Sequence, residues 1–67
     1  MKRGDVVLVK AYPNKQLERI VWEVHASYVL VCRAEVFADA IERRCEPEST
    51  MGFPQEDVVQ VPPLHTN

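Results

Sequence analysis

The feature that most narrows the fold is a set of short β-branched runs crowded into the front half of the chain. They are Asp5-Val6-Val7-Leu8-Val9-Lys10, Arg19-Ile20-Val21-Trp22-Glu23-Val24 and Tyr28-Val29-Leu30-Val31-Cys32. Residues branched at Cβ lose side-chain freedom in a helix but pack well on a pleated surface, so each run reads as a strand. In the second run Ile20, Trp22 and Val24 alternate with Val21 and Glu23. That period predicts a half-buried antiparallel strand with Ile20, Trp22 and Val24 on one face. Only His25-Ala26-Ser27 separates the second run from the third, which predicts a hairpin. Tyr12-Pro13-Asn14-Lys15 breaks the chain between the first two runs, because Pro13 fixes its own φ and biases Tyr12 away from helix.

The period changes after Arg33. From Ala34 to about Arg44, Val36, Phe37, Ala40 and Ile41 form one apolar helical stripe, and Glu35, Asp39, Glu42 and Arg43 fill the other side. Asp39 and Arg43 are spaced to pair one turn apart. Glu35 near the start and Arg43-Arg44 near the end suit the helix dipole, and Pro47 blocks continuation. Glu46-Pro47-Glu48-Ser49-Thr50 reads as an acidic loop and Met51-Gly52-Phe53-Pro54 as a turn. Pro54-Gln55-Glu56-Asp57 is a second tight turn, Val58-Val59-Gln60-Val61 the last strand, and residues 62–67 a flexible tail.

Sixty-seven residues make one domain, placed here at residues 1–61. The composition, 46% apolar and 27% charged, is that of a folding chain and not of a disordered one. So small a domain buries only about 60% of its unfolded surface, and a partner subunit is one way to compensate. The elements fit a mainly β, α+β domain: a small SH3-like barrel with about 4–5 antiparallel strands and a helix inserted before the last one. Curling the sheet shields edges that would otherwise aggregate.

The opening Lys2-Arg3-Gly4-Asp5-Val6-Val7-Leu8-Val9 resembles the first strand of the PemK/MazF-type toxin ribonucleases. The Gly-Asp start, the aromatic in the second strand and the Pro-containing turn before the last strand resemble the plasmid-encoded type II dihydrofolate reductases. Those are small SH3-like barrels in which four chains surround one pore. No residue here matches the toxins' catalytic Arg and Ser/Thr, and Val59-Gln60-Val61 stands in place of the reductases' Val-Gln-Ile-Tyr segment. The resemblance therefore implies a barrel of a bacterial or phage-type small-domain family and no particular activity. Gly52-Phe53-Pro54 to Asp57-Val58 would be the signature of such a family.

Net charge is −2, unevenly spread: residues 1–33 carry +3 and residues 34–67 carry −5. An acidic chain is poorly suited to neutralising phosphates, so nucleic acid is not the favoured partner. If it were, the contacts would come from Lys2, Arg3, Lys10, Lys15, Arg19 and Arg33. The favoured partner is another protein, recognised through Tyr12, Tyr28, Phe53 and Pro54, residue types that line peptide grooves. A second copy of the chain is a further partner to consider, and an oligomeric enzyme with its site between chains is the weakest reading.

No catalytic residue, metal ligand or cofactor is assigned. Cys32 ends an apolar strand, where a thiol usually acts as a small buried hydrophobe. Cys32, Cys45, His25 and His65 lack the spacing of a zinc site. The pairs Glu46/Glu48 and Glu56/Asp57 read as solvated loop acids. Two cysteines make no disulfide framework, no run is long enough to span a bilayer, and the N-terminus lacks the features of a signal peptide. A cytoplasmic location is expected.

Overall fold

The computed structural model describes residues 1–11 and 13–61; Tyr12 and the tail at 62–67 lie outside them. Five strands form one antiparallel sheet: β1 (Val6–Ala11), β2 (Lys15–Val24), β3 (Tyr28–Cys32), β4 (Met51–Pro54) and β5 (Val58–Gln60). Their order is β4-β3-β2-β1-β5, and the sheet curls into a half-barrel of the expected SH3-like kind. A helix, α1 (Ala34–Arg43), connects β3 to β4, and a single 3-10 turn (Gln55–Asp57) connects β4 to β5.

Two elements differ from the sequence reading by more than a residue. β2 begins at Lys15, because Gln16, Leu17 and Glu18 continue the alternation and pair with β1 from Lys10↔Gln16 to Leu8↔Glu18. Met51–Pro54 is a strand and not a turn: it pairs with β3 from Val31↔Met51 to Tyr28↔Pro54. Pro54 can sit there because β4 is an edge strand, where a missing N–H is tolerated.

The core is made of six buried valines, Val7, Val9, Val21, Val29, Val31 and Val58, with Leu17 and Phe53 packed against them. Every one stands on a strand, so β-branching serves both the strand conformation and the filling of the concave face. The expected inward face Ile20, Trp22 and Val24 is corrected by the β2–β3 pairing, which contains a β-bulge. Val21 pairs with Val31, but the next pair is Glu23 with Leu30, so Trp22 is an extra residue on β2. Val21 enters the core ahead of the bulge because it pairs with Val31; Trp22 is buried outside the valine cluster, and Val24, paired with Val29, is 44% exposed.

Trp22 meets the helix. Its ring stands edge-on to Phe37 at 5.9 Å and 75°, while Ala40 is the buried residue of α1. The helical stripe is thus half used, since Phe37 and Ala40 pack inward while Ile41 remains 51% exposed. The Asp39–Arg43 pair forms as spaced, at 3.2 Å. Arg44 ends the helix in the left-handed region at φ 58°, and the Cys45 amide donates to the Ala40 carbonyl at 3.0 Å. Among the described residues, no helix is long and apolar enough to cross a membrane.

Candidate functional site

The short β2–β3 connector brings an aromatic pair together, Tyr28 exposed and His25 half-buried. The His25 amide donates to the Tyr28 carbonyl at 2.8 Å, closing the hairpin end. The two side chains then stack at 4.5 Å, nearly parallel at 15°. Tyr28 is 40% exposed, and its Cα partner across the edge is Pro54. Gly52 lies under the ring: a Cβ there would meet Tyr28 Cδ2 at 3.5 Å, an ordinary contact.

Both sides of this stack are held. On one side His25 Nε2 lies 3.1 Å from Glu23 Oε1, a contact that requires Nε2 to carry the proton. Glu23 also meets the Arg3 guanidinium at 3.6 Å. Arg3 in turn lies 4.0 Å over the Trp22 ring, and its Nε donates to the Trp22 carbonyl at 2.8 Å. On the other side Gln55 Nε2 donates to the His25 carbonyl at 2.6 Å and to the Ala26 carbonyl at 3.3 Å. The 3-10 turn therefore pins the connector that carries His25. These bonds tie the His25 ring and the connector backbone beside exposed Tyr28, which leaves less to order when a partner binds.

Of Tyr12, Tyr28, Phe53 and Pro54, the structure brings Tyr28 and Pro54 together. Phe53 is one residue out of phase on β4 and packs against the valine core, and Tyr12 lies outside the described residues. His25, which the sequence marks only as part of the short connector, joins them through its stack on Tyr28. The signal for it was the three-residue connector, which forces the two ends of the hairpin to face one another.

The basic residues fall into three separate places. Lys2 and Arg3 belong to the N-terminal turn, where Arg3 is committed to Trp22 and Glu23. Lys10 and Lys15 flank the β1–β2 turn, beside Pro13, Asn14 and Asp57. Arg19 and Arg33 share a third groove. Cys32 is buried, and desolvation raises its thiol pKa above the ordinary value, which lowers the share of the thiolate a nucleophile needs. Cys45 is exposed. Among the described residues no three His, Cys, Asp or Glu side chains converge as a metal site.

Comparisons with protein-family models, with curated proteins and with solved structures find no match.

Proposed function

We propose that this domain is a non-enzymatic interaction module that binds another protein through the face centred on Tyr28. The observation that supports this most is the stack of exposed Tyr28 on His25, held from one side by Glu23 and from the other by Gln55. Tyrosine combines a large contact area with few torsions to freeze, and such residues dominate binding energy at protein interfaces. Pro54 beside it adds a rigid apolar surface. Nucleic acid is the less supported partner, because the six basic residues do not form one face and Arg3 is engaged by Glu23 and the Trp22 carbonyl. Two free thiols, one of them exposed, suit a reducing compartment, and we place the protein in the cytoplasm.

Affinity capture from a bacterial lysate, comparing the unaltered chain with Tyr28→Ala, tests this reading. Partners that bind directly should lose about 30-fold in affinity on truncation, as expected for an aromatic hot spot of roughly 2 kcal/mol. Light scattering on the free protein shows whether the occupant is a second copy. Identical partner sets and affinities for the two chains would remove Tyr28 as the binding surface.

A further inference from the structure

The groove holding Arg19 and Arg33 shares no residue with the Tyr28 face. It encloses about 350 Å³, with Val31, Cys32, Val36 and Met51 among its lining residues and the hydroxyls of Ser49 and Thr50 at the same groove; no carboxylate lines it. Arg33 directly follows Cys32, whose Cα partner is Ile20, so it stands across the hairpin from Arg19. Arg33 is the residue before α1, and two like charges lining one groove repel.

Neither cation is well compensated. Among the described residues Arg19 has no carboxylate within ion-pair distance, and its guanidinium donates to the Glu18 carbonyl at 2.8 Å, a neutral acceptor. Arg33 lies 3.7 Å from Glu35, but both side chains are largely exposed, at 66% and 72%. Water and salt screen such a pair heavily. The remaining N–H groups of both guanidiniums are free to donate to an anionic ligand. Neither Ser49 nor Thr50 spends its hydroxyl on a side-chain hydrogen bond among the described residues, so two neutral donors stand at the same groove.

An arginine pair with adjacent hydroxyls matches a tetrahedral, multiply charged oxyanion, because guanidinium binds phosphoryl oxygens through two parallel N–H donors. The apolar lining suits a ligand with an uncharged body as well as an anionic head. We infer that this groove binds a phosphate ester. Its phosphoryl group lies between Arg19 and Arg33, and its apolar portion rests on Val36 and Met51. Binding would also relieve the repulsion between the two arginines, which the free protein carries within a net acidic chain.

The test is a titration of the whole chain with phenyl phosphate, followed residue by residue through backbone amide NMR shifts. Saturable shifts confined to the segments around Arg19, Arg33 and Ser49-Thr50 are expected. Inorganic phosphate should bind the same residues more weakly, and phenol, which lacks the anion, should leave them unmoved. A short oligothymidylate identifies the source of the ester: tighter binding than phenyl phosphate at the same amides points to a nucleic-acid backbone, weaker binding to a small metabolite. Arg33→Gln, at an exposed position, should weaken phenyl phosphate about tenfold, and the double variant R19Q/R33Q should abolish binding. Shifts scattered over the surface, or an Arg33→Gln protein that binds as tightly as the parent, would overturn the assignment. Because Tyr28 lies elsewhere, failure here leaves the protein-binding reading standing, and the reverse holds too.

Discussion

The chain has two glycines, and the structure assigns opposite signs to their replacement by alanine. Gly4 is the third residue of a turn closed by the Asp5 amide on the Lys2 carbonyl at 3.1 Å, and its φ is +95°. A positive φ at that place is what a type II turn requires. An ideal Cβ on Gly4 would come no closer than 3.8 Å to Phe37, so space is not the obstacle. Backbone conformation is: an L residue forced into the left-handed region loses roughly 1–2 kcal/mol. Alanine recovers about 0.4–1 kcal/mol by restricting the unfolded chain. The net for Gly4→Ala is a loss of roughly 1 kcal/mol, and the turn it disturbs is the one that lays Arg3 on Trp22. Gly52 lies in an extended edge strand with no positive φ, and its added Cβ would meet Tyr28 at 3.5 Å and Leu30 at 3.6 Å, both ordinary contacts. There the unfolded-state term acts alone, so Gly52→Ala should gain roughly 0.5–1 kcal/mol. For a domain of this size 1 kcal/mol moves the midpoint by about 4–8 °C. Thermal melts of both variants beside the parent, followed by circular dichroism, should therefore shift in opposite directions by several degrees. A Gly52→Ala protein that melts below the parent, or a Gly4→Ala protein that melts with it, would refute the reasoning.

Further outcomes follow from the same contacts. Arg3→Ala removes the bond to the Trp22 carbonyl, the stacking on the indole and the weak pair with Glu23. It should cost about 1–2 kcal/mol in urea titrations read by the fluorescence of Trp22, with Arg3→Lys restoring little because the planar fork is lost. In the folded protein Cys45 should alkylate readily at mildly alkaline pH while Cys32 stays protected, and mass spectrometry of the peptides distinguishes the two. Because burial raises the Cys32 thiol pKa, its contribution to stability is fully present below the ordinary thiol range and is lost as pH rises through the raised value. Cys32→Ala should flatten any alkaline fall in the melting midpoint that the parent shows. Val31→Ala, at a core position only 1% exposed, should cost about 2 kcal/mol or more, given roughly 0.8 kcal/mol per buried methylene plus a cavity term.

Much of the architecture was legible in the chain because it depends on local chemistry. β-branched runs specified β1 and β3, the i, i+4 stripe and Asp39–Arg43 spacing specified α1, and Pro54 to Asp57 specified the tight turn before the last strand. The helix lies ahead of that strand as expected, with β4 added between them. Met51–Pro54 escaped because four residues holding a glycine and a proline have no strand signal of their own. They are extended only because β3 offers them hydrogen bonds. The phase of Trp22 escaped for a related reason: pairing with Val31 turned Val21 inward, and a bulge then inserted Trp22 without marking the sequence. Tertiary structure likewise decided the candidate sites. Tyr28 and Pro54 were nameable as types, but their meeting with His25, and the separation of Phe53 from them, follow from register and alternation across β3 and β4. Arg19 and Arg33 were two members of a scattered basic set until the β2–β3 pairing set them across one groove. The sequence by itself therefore determined which segments are strand and helix, through propensity and period. Which side chains share a surface depended on pairing register, where a shift of one residue moves a side chain to the opposite face.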